Sequence, residues 1–134
     1  MKHIFLDTNI VFDLLSQREG FYEDAQKIFS SNNNHRLYIS ALTFANVHYL
    51  LQKYHSKEEL RKLLMNFKTY VDVLSFSNQI IDLTLIDQQL SDFEDGLQYY
   101  TATENQIDII ITRDKKGFRN SQIPVMSAKE FLTA

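Results

Sequence analysis

The chain has 134 residues, enough for one compact domain and little more; a domain of that length buries roughly two-thirds of its unfolded surface and folds without crosslinks. It contains no cysteine, which excludes disulfides, thiolate catalysis and cysteine-ligated zinc. Its net charge of −3 excludes a protein that holds nucleic acid by bulk positive charge, so any nucleic acid must meet a local basic patch or a cation that masks carboxylates.

Residues 2–6 (Lys-His-Ile-Phe-Leu) form the first predicted strand, with consecutive apolar residues as in a parallel strand covered on both faces. That apolar run stops at Asp7 and is too short for a signal peptide, and no stretch reaches the about twenty apolar residues of a membrane span. The cytoplasm is therefore the expected site of action. Residues 9–16 follow as a helix, with Ile10, Val11, Leu14 and Leu15 on one stripe. Gly20 breaks the chain, and a second helix runs from Tyr22 to Ser31 through Ala25, Ile28 and Phe29, ended by the Asn32-Asn33-Asn34 cluster. Arg36 to Ile39 is the second strand. A long helix opens at Ser40 or Ala41 and reaches Tyr54, its apolar period given by Leu42, Ala45, Tyr49 and Leu50. Ser56 with Glu59 forms a capping box for the next helix, which ends near Phe67.

Val71 to Phe76 is the third predicted strand, and residues 78–87 are another helix through Ile80, Ile81 and Leu85. After a polar break at Gln88-Gln89, Ser91 to Asp95 opens a helix reaching about Asn105. Ile109-Ile110-Ile111 is the most strand-like run, and a charged loop from Arg113 to Arg119 follows it. Pro124 to Met126 is a last short strand, and Ser127 with Glu130 caps a terminal helix. Strands alternating with helices imply an α/β three-layer sandwich: a mainly parallel central sheet of about five strands with helices on both faces. No repeat, low-complexity tract or linker divides it, so residues 1–134 are expected to be a single domain.

In an open parallel sheet, ligands bind beyond the carboxyl ends of the strands, where strand order reverses. Asp7 ends the first strand, and Asp114 follows the Ile109–Thr112 strand by one arginine. Asp95 lies in the first turn of the helix leading into that late strand, at the end that belongs on the same side of the sheet. Three carboxylates then converge on one crevice. They repel one another and raise a pKa; Mg²⁺ or Mn²⁺, which take oxygen ligands, would remove the conflict. A cation there can acidify water and offset charge on a phosphate, so the implied chemistry is hydrolysis of a phosphodiester. Each acid also has an ordinary role: Asp7 as a turn residue or N-cap, Asp92, Glu94 and Asp95 as helix-start acids, Asp114 as a loop acid.

The combination is more specific than its parts. Leu6-Asp7-Thr8-Asn9, Asp92-Phe93-Glu94-Asp95-Gly96-Leu97-Gln98, and Ile109 to Asp114 continuing into Lys115-Lys116-Gly117-Phe118 resemble, in order and spacing, the acidic stretches of PIN-domain proteins, and of their VapC-type toxin branch. The resemblance implies a metal-dependent endoribonuclease using Mg²⁺ or Mn²⁺, in many cases paired with an antitoxin whose peptide blocks the site. Carried over to this chain, Asp7, Asp95 and Asp114 would be metal-binding and catalytic. Thr112 would support the site through its hydroxyl, and Asn9 would help orient the first strand end.

One departure matters. The family usually has a Glu in the helix after the second strand, and here Asn46 stands in its place. Its amide oxygen can touch a metal or a water but carries no charge. Asp92 and Glu94 are the acids available to compensate. Arg113, Lys115, Lys116 and Arg119 are candidates to hold RNA phosphates, with a solvated charged loop as the alternative. His3, His35, His48 and His55 have no metal-ligand spacing. Two rival functions remain: a degenerate PIN module that binds RNA or a protein partner without cleaving, and a phosphatase of the haloacid dehalogenase type. The latter wants a second Asp two residues after the first, where this chain has Asn9. A homodimer is the expected oligomer.

Overall fold

The computed structural model, which describes residues 1–30 and 34–134, turns the alternation of strands and helices into one five-stranded sheet covered on both faces. In chain order the elements are β1 (Lys2–Leu6), α1 (Thr8–Leu15), α2 (Tyr22–Ser30), β2 (His35–Ser40), α3 (Ala41–Leu51), α4 (Lys57–Lys68), β3 (Asp72–Leu74), α5 (Asn78–Ile86), α6 (Phe93–Thr103), β4 (Ile109–Ile111), β5 (Val125–Met126) and α7 (Ala128–Thr133). The sheet is parallel throughout, in the order β3-β2-β1-β4-β5. The chain therefore winds outward from β1 to β3, then crosses back and winds outward through β4 to β5. The reversal lies between β1 and β4, where Ile4 pairs with Ile109 and Leu6 with Ile111.

The pleat sorts the apolar residues into two cores. Ile4, Leu6, Ile109 and Ile111 point to one face, against Ile10 and Val11 of α1, Ala25 and Ile28 of α2, Val47 and Leu51 of α3, and Leu60 and Phe67 of α4. Phe5 and Ile110 point to the other, against Ala102 of α6, Ile107 and Phe118. β1 is central and covered on both sides, which is why its apolar residues run consecutively rather than alternate. Serines set the helix starts: Ser40, Ser56, Ser77 and Ser127 each accept a backbone N–H with the side chain, and Ser56 and Ser127 complete capping boxes with Glu59 and Glu130.

Several boundaries and two buried faces differ from the sequence-based expectations. α3 stops at Leu51 rather than Tyr54. Its inward stripe is Thr43, Val47 and Leu51, while Tyr49 and Leu50 of the expected period are exposed. The helix is apolar on several sides, and the polar Thr43 is drawn inward by hydrogen bonds. Similarly, α5 buries Ile80 and Thr84 and leaves Ile81 and Leu85 outside. β3 spans only Asp72–Leu74. The charged stretch after β4 is not all loop: Lys115–Phe118 form a 3-10 turn anchored by buried Phe118. Ser31, Asn32 and Asn33, expected to end α2, lie outside the described residues. Among the described residues no helix is long and apolar enough to cross a membrane.

Candidate active site

Asp7 is the N-cap of α1, at the carboxyl end of the central strand. Its carboxylate is buried and held by three donors. Thr8 N–H and Gln98 Nε2 donate to Oδ1 at 2.9 and 3.1 Å, and Thr112 Oγ1 donates to Oδ2 at 2.8 Å. Burial pushes the Asp7 carboxyl up from the usual carboxylate range; the bonds from Thr112, Gln98 and Thr8 oppose this, and nearby Asp114 adds to it. Asp114 follows β4, beside β1 at the reversal, and its carboxylate accepts no capping hydrogen bond. Asp95 sits in the first turn of α6. Burial first, then the charges of Asp92, Asp7, Asp114 and Glu94, raise its carboxyl to about 6.

The three acids singled out from the sequence thus stand at one end of the sheet and feel one another's charge. They are spread apart: among the described residues no three His, Asp or Glu groups are grouped closely enough to hold one metal ion. The donor set is entirely oxygen, the type that hard divalent cations take. Gly117 also fits such a site. A Cβ built there would crowd the Asp95 carboxylate, so the turn after β4 approaches that side chain closely and a larger residue would have to displace it.

The supporting residues form one network. Thr112 Oγ1, besides donating to Asp7, accepts from Asn9 Nδ2 at 3.2 Å and from the Asp114 N–H at 3.0 Å. Asn9 Oδ1 accepts from the Arg113 N–H at 3.1 Å. Asn9 thereby ties α1 to the strand end carrying Asp114, and both its polar ends are engaged. Asp92 is the N-cap of α6, accepting from the N–H groups of Glu94 and Asp95 at 2.8 and 3.3 Å. Asn46 donates from Nδ2 to Glu94 Oε1 at 2.9 Å.

The four expected phosphate-binding cations divide into two kinds. Arg113 is bound by Asp13, with Nε–Oδ2 2.6 Å and Nη2–Oδ1 3.2 Å, and its guanidinium lies 4.5 Å from the Phe21 ring centre. This pairing engages the guanidinium that was expected to hold RNA phosphates. Lys115 pairs with Glu130 at 3.0 Å. Lys116 and Arg119 instead line a cleft of about 220 Å³, together with Gly117, Ser91, Asp92 and Tyr99.

Three residues of the site escaped sequence reasoning. Gln98 is buried. It donates to Asp7 and, at 3.1 Å, to Thr43 Oγ1, and its carbonyl accepts from Ser40 Oγ. Its signal was its place three residues after Asp95, on the same face of α6. Thr43 also bonds Thr8 Oγ1 at 3.1 Å. Asp13 is a buried acid inside the apolar stripe of α1, which itself calls for a partner.

Comparison with known proteins agrees with the fold. The family model described as the PIN domain matches residues 3–116. Ribonuclease VapC1 of Aquifex aeolicus (strain VF5) is 28% identical, over 97% of this chain and 93% of that protein. Among solved structures, a toxin–antitoxin complex from Klebsiella pneumoniae superposes with a TM-score of 0.71 at 25% identity, covering 93% of this chain and 97% of that one. VapBC-1 from nontypeable Haemophilus influenzae shares the fold with a TM-score of 0.72 at 20% identity, covering 95% and 98%.

Proposed function

We propose that this chain, which belongs to the PIN domain family, is a metal-dependent endoribonuclease and the toxin of a toxin–antitoxin pair. The observation that carries this reading is that Asp7, Asp95 and Asp114 stand at one end of the sheet where strand order reverses and feel one another's charge, with Asp95 raised to about 6 by burial and by its acidic neighbours. The similarity to a ribonuclease and to toxin–antitoxin structures supports the substrate class and the setting.

Asp7, Asp95 and Asp114 would hold Mg²⁺ or Mn²⁺, with Asn46 at the edge of the set. A cation bound there supplies positive charge against phosphate oxygens and makes water a nucleophile at neutral pH. The chain's own residues do the rest. Three donors fix Asp7 in one orientation, so its charge is already aimed before any ligand arrives. Thr112 couples Asp7 to the backbone of Asp114, keeping two acids in register. Lys116 and Arg119, in the cleft beside Gly117, would take phosphates flanking the scissile bond. Arg113 is left out of that role by its pairing with Asp13.

An antitoxin partner belongs to the same reading, and an apolar groove of about 660 Å³ lined by Phe12, Leu15, Leu51, Tyr54 and Leu63 is a surface suited to it. A homodimer would cover exposed apolar residues such as Tyr49, Ile81, Leu85 and Ile86. The expected compartment is the cytoplasm.

The second reading, an RNA-binding or protein-binding module without cleavage, is favoured by one observation, the Asn at position 46. Incubating RNA with the protein and Mn²⁺ separates the two. The nuclease reading expects cleavage that stops with EDTA and falls by at least about a hundredfold in Asp7→Asn. Clean protein that retains RNA yet never cuts it with any divalent metal would establish the binding module instead.

A further inference from the structure

We infer that the cleft beside the turn after β4 is a single-base subsite for the RNA strand, in which Tyr99 supplies a stacking face and Lys116 and Arg119 hold the adjoining phosphate. This rests on the nuclease reading above and deepens it, from a substrate class to a place where one nucleotide sits. The cleft borders the acidic site directly. Gly117, which lies against the Asp95 carboxylate, forms part of its wall, and so does Asp92, which caps the turn of α6 that carries Asp95. The cleft therefore begins where the three acids end.

The charges in and around the cleft are sorted by what already engages them. On the segment after β4, Arg113 is paired with Asp13 and Lys115 with Glu130, whereas the side chains of Lys116 and Arg119 make no hydrogen bond or ion pair among the described residues. The two acids of the lining are the reverse case. Asp87 accepts from the Tyr100 hydroxyl and the Gln89 N–H, and Asp92 accepts from the Glu94 and Asp95 N–H groups. Donors inside the chain thus offset both carboxylates, and the two cations stay open to an outside anion. The aromatic part is held in advance. The hydroxyl of half-buried Tyr99 accepts the Gln122 N–H at 3.2 Å, and Tyr100 packs edge-on with 5.1 Å between ring centres, itself tethered to Asp87 Oδ2 at 2.7 Å. A ring fixed in this way loses little freedom when a base stacks on it. The cleft volume of about 220 Å³ lies below the roughly 300 Å³ at which drug-sized pockets begin, which suits one base and not a folded segment. Stacking rings combined with backbone-tracking cations are how single-stranded RNA is held.

The test is binding of a short labelled oligouridylate in EDTA, where nothing is cut, against the same ribose–phosphate chain without bases, read by fluorescence anisotropy. Tyr99→Leu should weaken the base-bearing strand by about tenfold and the baseless strand by less than about twofold. Lys116→Gln and Arg119→Gln should weaken both strands alike, each lowering the salt slope by about 0.7. Tyr99→Phe gives a second readout that keeps the ring in place. The chain has seven tyrosines and no tryptophan, so a base stacked on Tyr99 quenches tyrosine emission. The Phe variant should bind within about twofold of wild type while losing part of that quench. Melting curves check that each variant is folded. A folded Tyr99→Leu variant that loses equally on both strands, or a Tyr99→Phe variant that keeps the full quench, overturns the stacking role. Wild-type affinity in both Lys116→Gln and Arg119→Gln, or a wild-type protein that binds neither strand, overturns the cleft as an RNA site. Those outcomes leave the nuclease reading to its own test of Mn²⁺-dependent cleavage. Base-dependent binding through Tyr99 in a protein that never cuts RNA keeps the subsite and refutes the nuclease.

Discussion

Burial, and after it the charges of Asp92, Asp7, Asp114 and Glu94, push the Asp95 carboxyl up to about 6. Between its ordinary value of 3.8 and that figure, the native protein binds more protons than the unfolded chain. Stability of the metal-free protein must then fall as pH rises through this window, with the loss complete above it. Asp7 acts with the same sign, raised chiefly by burial. Asp95→Asn removes the penalty while keeping the shape. Discounted for solvent screening, the gain at about pH 7.5 is on the order of 1 kcal/mol, or about 4 °C in Tm for a domain of this size. At about pH 4 the two proteins should melt together. Thermal denaturation at the two pH values decides it, and an Asn variant that melts lower at the higher pH would refute the repulsion account. The acids themselves were legible in the sequence because each adjoins a strand end or a helix start. Gln98, Asp13 and the Asn46–Glu94 pair were not, because each gains its role from a residue tens of positions away.

At the scale of elements, the turn after β4 and the first turn of α6 meet through a single close contact. Gly117 faces the Asp95 carboxylate, and an added Cβ would stand 2.4 Å from Oδ2 and 2.8 Å from Cγ. The atoms in the way belong to a side chain, so Gly117→Ala should displace the carboxylate rather than break the backbone. A displacement near 1 Å in a reacting geometry costs roughly a hundredfold in rate. The expected result is RNA cleavage lowered by about tenfold to a hundredfold, with a Tm within a few degrees of wild type. Unchanged cleavage would show that the contact does not control the site. The sequence marked this segment as a charged loop with Asp114 and four candidate phosphate-binding cations, not as a 3-10 turn. Its 3-10 turn depends on Phe118 reaching the core beneath β4, and its orientation depends on Arg113 meeting Asp13. Both are tertiary facts with no local signature. The capping boxes at Ser56 and Ser127, by contrast, were readable in advance because their partners lie three residues away. The face of α3 was misread because hydrophobic periodicity assumes that polar residues face water, and Thr43 does not.

Across the whole molecule, the reversal of strand order does two things at once. It places the ends of β1 and β4 side by side, and it gathers α1, α6 and the turn after β4 over those ends. The gathered elements bring carboxylates to one end of the sheet, within reach of one another's charge, so the fold accepts an electrostatic cost there that a divalent cation would relieve. A ligand that binds only the folded chain stabilises it by about 2.7 kcal/mol at a hundredfold excess over Kd. For a 134-residue domain this corresponds to a rise of roughly 8–10 °C in Tm. The rise should be large at about pH 7.5 and shrink toward pH 5, because protons compete for Asp95 below about 6. It should be absent in Asp7→Asn and reversed by EDTA in wild type. Differential scanning calorimetry with and without Mn²⁺ at the two pH values measures all of this. A Tm that ignores millimolar Mn²⁺ at neutral pH would mean that the clustered acids serve a partner's cationic groups and not a metal. The Asp95→Asn variant sharpens the comparison. It should melt higher than wild type without Mn²⁺ and gain less from adding it, since the substitution removes part of the repulsion and one of the charges that hold the ion.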